Sequence, residues 1–445
     1  MLDIKFIREH ADEVRDAAKK KGLDPAVLDD LLETDKERRE IMTKLENIRA
    51  EQKKAKDRAE GARLKEEFKK IESESHFDAI ERKYKTLMSW VPNIIAPDVP
   101  VGDGENDNQE VVRWIPGEAH TKPSSAPIYS DESKLPNPFD FKPKTHIELG
   151  ESLDIVDFEA GTKVAGFRGY YLKNDGVLLA MGVMMYAVKK MVEKGYAPMI
   201  PPTLVKEFAL FGTGYFKFDE YDPEKDEIYE VATADKEASG EASKDKKFLV
   251  GTAEPSLLAY YADQVLKADQ LPLKHSGYSQ CYRSEIGSYG KDVKGMYRVH
   301  EFMKVEQVIL APADIELTNK LQEEMLDISA EMHRELGLPY RRLLICTGDL
   351  GAGKYRQFDT EAWLPGMNRW AETGSASNFL DWQSRRLNVK YVDANGDKKF
   401  VYMLNNTALP SPRIFIAILE NYQTKDGKVK VPKVLQPFVG KEVIG

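Results

Sequence analysis

Cysteine is almost missing from this chain: 445 residues contain two, Cys281 and Cys346. They stand far apart, without the clustered Cys/His spacing of a zinc site, and read as reduced thiols in a core; no structural zinc is expected. Also missing is any run near the ~18 consecutive apolar residues of a membrane-spanning helix. The opening MLDIKFIREHADE is charged where a secretory leader would be apolar. No membrane partner is expected, and the cytoplasm is the expected compartment. Positive charge is in deficit as well. The net charge of -9 speaks against a broad nucleic-acid-binding surface and against DNA as a partner, although the field that matters is local rather than summed. What is present is apolar residue in quantity, 42% of the chain, enough for at least one large core in a polypeptide too long for one ordinary domain.

Between Asp24 and Val91 there is little glycine or proline beyond Pro25. Apolar residues recur there in steps of three and four: Leu28, Leu31, Leu32, Ile41, Leu45 and Ile48, then Leu64, Phe68, Ile71, Phe77, Ile80, Tyr84, Leu87 and Val91. Each set forms one helical stripe, and a break around Asp57–Gly61 lets two helices fold back as a long antiparallel hairpin. Basic residues gather at its tip. From Arg49 to Lys70 nine basic side chains face five acidic ones, a local excess suited to an RNA phosphate backbone read by shape. Pro92–Pro143 has linker chemistry, and the polar run Asp219–Lys247 reads as a surface insertion. The expected boundaries are 1–100 for the helical arm, 101–145 for the linker and 146–445 for a second domain.

In that second domain, strand-like runs at Lys247–Gly251, Lys274–Arg283, Tyr297–Leu310, Arg342–Thr347, Phe358–Trp363 and Phe400–Asn405 alternate irregularly with helical ones. This favours an α+β fold with a mostly antiparallel sheet. The most informative stretch is YSQCYRSEIGSYGKDVKGMYRVHEFMKVEQ, Tyr278–Gln307. If Gly277–Arg283 and Tyr297–Val308 pair as a hairpin, alternation places Arg283, Phe302 and Glu306 on one half-buried floor. Arg283 can bridge phosphate oxygens as a planar fork. Phe302 offers a face to a purine, and Glu306 suits an ammonium. In LNNTALPSPRIFIAILENYQ, Ser411 can cap a helix whose first residue is Pro412, which puts Arg413 in the first turn. GDLGAGK, Gly348–Lys354, has the spacing of a phosphate loop, but Tyr355 stands where a hydroxyl is needed and a strand follows. It is read as a decoy, and His275 and His300 as structural.

YRSEIGSYGKDVKGMYRVHEF resembles motif 2 of the seryl-tRNA synthetases, class II aminoacyl-tRNA synthetases, and the resemblance runs over nearly the whole chain. It implies a class II catalytic domain preceded by a coiled-coil arm that grips tRNA, with Arg49, Lys53, Lys54, Lys56, Arg63 and Lys65 as the contacts. It implies that the helix Gly176–Lys194, the strand Ala197–Ile200 and Pro201-Pro202 are motif 1 and form a homodimer interface. Thr252, Ala253 and Glu254 match the family's loop over the amino acid; with Arg283, Glu306, Asn405 and Thr407 they would bind serine. Glu254 and Glu306 would frame its ammonium, and Thr407 would read its hydroxyl with Asn405 as a brace. Arg283, Ser284, Glu285, Val299, Phe302, Glu372, Thr373, Gly374, Ser375 and Arg413 would bind ATP, with Arg413 facing Phe302 across the adenine. Glu372 and Ser375, in a Glu-x-x-Ser segment, would hold Mg²⁺ with the nucleotide. Arg283, Glu306 and Arg413 are the expected catalytic groups. The implied activity is ATP-dependent serylation of tRNA(Ser), and of tRNA(Sec) where present. An amino-acid ligase acting on a carrier protein and a catalytically silent RNA-binding paralogue are the alternatives.

Overall fold

The computed structural model describes residues 1–55, 57–117, 136, 139–216, 221–232, 246–286 and 294–445. They divide into two compact units, Met1–Ile94 and Ile95–Gly445. No helix among the described residues is long and apolar enough to cross a membrane.

The first unit is helical: α1 (Ile4–Glu9), α2 (Ala11–Lys20), α3 (Ala26–Lys54), α4 (Arg58–Glu74) and α5 (Phe77–Trp90). Leu28 and Leu31 of α3 and Leu87 and Met88 of α5 close a small core with Ile7 and Val14. Farther along α3, Ile41, Leu45 and Ile48 are buried, as is Leu64 of α4. The pairing is antiparallel, because contacts run in opposite senses along the two arms. Arg38 bonds Glu81 at 2.5 Å and lies 4.5 Å over the Tyr84 ring, while Arg49 lies 4.6 Å over Phe68. Two expectations need correction. The break is narrower than Asp57–Gly61, since the Asp57 carboxylate accepts the Ala59 N–H at 3.1 Å and caps α4 from Arg58 onward. The returning arm is two helices and not one, because His76 takes a left-handed backbone (φ 50°) between α4 and α5.

The second unit is built on an eight-stranded sheet: β1 (Gln109–Trp114), β2 (Ala197–Met199), β3 (Leu273–Tyr282), β4 (Glu301–Ala311), β5 (Tyr340–Leu344), β6 (Arg356–Leu364), β7 (Arg369–Asn378) and β8 (Tyr402–Pro410). Their spatial order is β1-β5-β6-β7-β8-β4-β3-β2, and only the β2–β3 pair is parallel. One face is covered by the helices α6 (Asn174–Glu193), α7 (Ile315–Glu335) and α8 (Ser411–Asn421). Their buried Leu179, Val183, Met325, Ile328, Ile414 and Phe415 meet Val305, Ile309, Leu404 and Leu409 of the strands. Each such fully buried side chain contributes roughly 1.5–3 kcal/mol. The sheet's other face is open enough to hold polar groups.

The structure departs from the sequence reading in three places here. The interval 101–145 is not linker throughout, since Gln109–Trp114 is an edge strand of the main sheet, paired with β5; residues 118–135 and 137–138 of that interval lie outside the described residues. Within the expected insertion 219–247, Tyr229–Val231 is a strand on Lys247–Leu249, and 219–220 and 233–245 lie outside the described residues. Tyr297–His300 is not strand; β4 begins at Glu301.

Close packing on the open face depends on Gly277 of β3. A Cβ there would fall 2.8 Å from Leu257 Cδ1 and 2.9 Å from Ala253 Cβ, so the short helix Glu254–Ala259 can lie on the strand only because position 277 has no side chain. Gly277→Val should therefore cost about 1–3 kcal/mol by overpacking, read as a lowered midpoint in thermal unfolding. An unchanged midpoint would mean that the helix is not seated there.

Candidate active site

Strand parity assembles the site. Successive side chains of a strand alternate faces, so Phe302, Lys304 and Glu306 of β4 share one face. Their partners Cys281, Ser279 and Gly277 in β3 share it with them, and Arg283 follows Cys281 by two. On β8, Glu306 pairs with Thr407 and Val308 with Asn405, while the register slips between Val305 and Glu306. That bulge leaves Ala408 as the extra residue. On β6 and β7, Glu361 pairs with Glu372 and Asp359 with Ser375, with a second slip between Thr360 and Glu361. Without it, Glu372 and Ser375, three residues apart, would point to opposite faces. The bulge at Thr373 brings both onto the face of Asp359.

These strands and the start of α8 form a cleft lined by Arg283, Glu285, Val299, Phe302, Glu372, Thr373, Gly374, Thr407 and Arg413 among others. Arg283 Nε donates to the Gly251 carbonyl at 3.4 Å, and its guanidinium carbon sits 5.9 Å from the Phe302 ring centre. Arg413 Nη1 donates to the Glu372 carbonyl at 3.0 Å and lies 3.3 Å from its carboxylate. Its guanidinium rests over Tyr297, 4.6 Å from the ring centre, so the aromatic ring it packs on is Tyr297, although Phe302 lines the same cleft. The expected cap is also corrected: Ser411 is itself the first residue of α8, and its hydroxyl accepts the Met303 N–H at 3.1 Å. The hydroxyl thus joins the helix start to β4 rather than to its own helix. Ser284 and Ser375 do not line the cleft. The Ser284 hydroxyl is buried without a hydrogen-bond partner among the described residues, and the Ser375 hydroxyl accepts from Gln357 at 3.0 Å.

An acidic pocket adjoins this cleft. Glu254 is buried; its carboxylate accepts from Gln383 at 2.7 Å and from the Tyr215 hydroxyl at 2.8 Å. Burial and the Glu306 charge push its pKa up, against the hydrogen bonds from Gln383, Tyr215 and Asn405. Thr252 and Ala253 are buried beside it, and the Thr252 hydroxyl accepts the Glu254 N–H at 3.4 Å. Lys304, which the sequence reading passed over, lies here too. Its ammonium is 2.6 Å from Glu306 Oε2 and 3.5 Å from the Thr407 hydroxyl. The Glu306 contact is an ion pair. The alternation Phe302, Lys304, Glu306 was the available signal for it.

Asp359 was missed as well, although Gln357, Asp359 and Glu361 alternate visibly on one strand. Gln357 Nε2 donates to Asp359 Oδ1 at 2.8 Å, and Lys354 Nζ donates to Gln357 Oε1 at 2.8 Å. Burial, then the Glu372 charge, push the Asp359 carboxyl up to about 7. Burial pushes Glu372 the same way, but the charges of Arg413 and Arg283 outweigh it and hold that carboxyl below its ordinary value. Hard oxygens on one face, including a carboxyl destabilised as an anion, fit a divalent ion. Among the described residues no three His, Cys, Asp or Glu side chains group as a metal site.

The proposed RNA contacts lie in the first unit. Arg49, Lys53, Lys54, Arg63 and Lys65 are exposed on α3 and α4, Arg49 being stacked on Phe68. Lys56 lies outside the described residues. His275 is hydrogen-bonded to the Tyr261 hydroxyl at 2.6 Å and His300 to the Arg283 carbonyl at 2.9 Å.

With fold and site in view, residues 232–422 match the model of the tRNA synthetase class II core domain (G, H, P, S and T). Residues 1–58 match the seryl-tRNA synthetase N-terminal domain. The serine–tRNA ligase of Treponema denticola is 37% identical, with all of both chains covered. That of Thermobifida fusca is 38% identical over 100% of this chain and 99% of the relative. The crystal structure of Pyrococcus horikoshii seryl-tRNA synthetase complexed with ATP superposes with a TM-score of 0.84 at 33% identity, covering 100% of this chain and 99% of that one. The catalytic unit is thus a class II synthetase core. The chain belongs to the seryl-tRNA synthetase family.

Asp359 gives a pH test. Its carboxyl titrates higher folded (about 7) than the unfolded value of ~3.9, so ionisation destabilises the fold increasingly as pH rises from 4 to 7 and by a constant amount above. Asp359→Asn should therefore gain stability over wild type across that window in metal-free buffer, followed by thermal unfolding. A pH-independent difference would refute the assignment.

Proposed function

We propose that this protein activates serine with ATP to seryl-adenylate, releasing pyrophosphate, and then transfers the seryl group to tRNA(Ser), and to tRNA(Sec) where it is present. The observation that carries this reading is the sharing of one sheet face by a phosphate-type guanidinium, Arg283, an aromatic ring, Phe302, and an acidic pocket. Membership of the family gives the class of reaction; the arrangement of side chains supports the roles.

The serine carboxylate oxygen attacks the α-phosphorus while the bond to pyrophosphate breaks, and no side-chain base is required. Arg283 forks onto the carboxylate and α-phosphate and holds them in line, which accounts for much of the acceleration through proximity and charge stabilisation. Arg413 sits opposite as the cation for the outgoing phosphates. Glu254 and Glu306 set two carboxylates against the one ammonium of Lys304, a surplus of one negative charge that the serine ammonium would balance. Thr407, braced by Asn405, meets the serine hydroxyl; alanine would leave that group unpaired, a penalty of up to about 10⁴–10⁵-fold. Glu372 and Ser375, with Asp359, would hold Mg²⁺ arriving with ATP. That ion would draw charge from the departing pyrophosphate.

Two further parts of the reading rest on surfaces. The basic residues of α3 and α4 would take the tRNA backbone. On α6, Val177, Leu178, Met181 and Met185 are 40–47% exposed, and Ile200 beyond β2 is 82% exposed. An apolar stripe of this kind on a water-soluble surface is suited to a second copy of the chain, and we read it as the homodimer interface.

One pair of variants separates the chemistry from the RNA grip. Arg283→Ala should lower serine-dependent ATP–pyrophosphate exchange at least about 10³-fold, whereas deleting residues 49–70 should leave exchange within about threefold and lower tRNA charging at least about 100-fold at physiological salt. Near-wild-type exchange by the first, or equal losses in both assays by the second, would contradict the assignment.

A further inference from the structure

Glu420 lies in α8 two turns beyond Arg413, which puts the two on the same side of that helix. Its side chain is fully buried, and a carboxylate in a core is costly unless its oxygens are satisfied. They are satisfied by four N–H groups from two distant segments. Oε1 accepts from the His146 backbone at 3.0 Å and from His146 Nδ1 at 2.9 Å. Oε2 accepts from the Gly366 and Met367 backbones at 2.9 and 3.2 Å. His146 passes the contact on, because its Nε2 accepts the Met296 N–H at 3.3 Å. That bond leaves the ring proton on Nδ1, facing Glu420. Gly295 has φ +84°, and a Cβ there would stand 2.3 Å from His146 Nε2, so the segment approaches the imidazole as closely as a glycine allows.

Both sets of contacts lead to one ring. Met296 precedes Tyr297, on which the Arg413 guanidinium rests at 4.6 Å. Gly366 and Met367 form the turn into β7, whose first residue, Arg369, lies over the same Tyr297 ring at 4.7 Å. The path from Arg413 through Tyr297, Met296 and His146 returns to Glu420 on the helix that carries Arg413. The geometry points to Glu420 and His146 as positioning residues that set the Tyr297 platform, and through it the aim of Arg413 at the nucleotide. This rests on the reading of Arg413 as a nucleotide contact. Neither residue touches the cleft, and both act on ATP binding rather than on serine.

Two substitutions at His146 separate positioning from mere folding. His146→Asn retains a donor toward Glu420 but loses the acceptor for Met296, whereas His146→Gln can place an oxygen where Nε2 was. In ATP–pyrophosphate exchange with purified full-length protein, His146→Asn should raise the KM for ATP about tenfold with the serine KM within about twofold, and His146→Gln should restore the ATP KM to within about threefold of wild type. Should His146→Asn not fold, Glu420→Gln takes its place with the same expected split, since its amide would turn a donor toward His146 or the Gly366 turn. Equal ATP KM values for the two His146 variants, or a folded Glu420→Gln with an unchanged ATP KM, would overturn the inference. Arg413→Ala, measured alongside, tests the underlying reading separately: an unchanged ATP KM there would refute the role of Arg413 itself.

Discussion

Everything chemical in this protein depends on keeping side chains from five neighbouring strands on one face of one sheet. Alternation alone would not do this. The slip opposite Glu306 leaves Thr407 and Pro410 pointing the same way although three residues apart, and the slip at Thr373 does the same for Glu372 and Ser375. A bulge disturbs the ladder locally, and both occur where the cleft lies. The helices α6, α7 and α8 close the opposite face with an apolar core, which leaves the polar face to carry the chemistry.

On that face, charges are paired unevenly, in a pattern that suits the proposed substrates. Near Arg413 and Arg283, cations keep the Glu372 carboxyl ionised while its neighbour Asp359 is driven toward protonation. Around Glu254 and Glu306 the balance tips the other way, with a single lysine against two acids. In a setting of reduced dielectric these residual charges act strongly on a ligand bearing phosphates at one end and an ammonium at the other. An amino acid meeting a nucleoside triphosphate matches that order. The basic residues of α3 and α4 are the proposed seat of the RNA that accepts the product.

Much of this was legible in the sequence, for identifiable reasons. Arg283, Phe302 and Glu306 could be placed together because strand alternation has a fixed period, and the helical arm because its apolar steps do. Arg413 was placed in the first turn of a helix from the Ser-Pro-Arg run, although Ser411 turned out to bind β4 and not to cap. What escaped needed a partner strand to be visible. The Thr373 bulge cannot be read from one strand, and β1 hid in a segment whose prolines and glycines suggested linker. Lys304 and Asp359 lay in view, each on an alternating polar strand. They were passed over because a lone Lys or Asp has many ordinary roles, and its neighbours across the sheet decide among them. Tyr297 was taken for strand, whereas its ring serves as the surface beneath Arg413.

The most direct measurement is a crystal structure of the protein with a seryl-adenylate analogue whose acyl phosphate is replaced by a sulfamate. The account predicts the purine against Phe302 within the cleft and the seryl ammonium between Glu254 and Glu306. A purine bound away from Phe302, or an ammonium out of reach of both carboxylates, would contradict it.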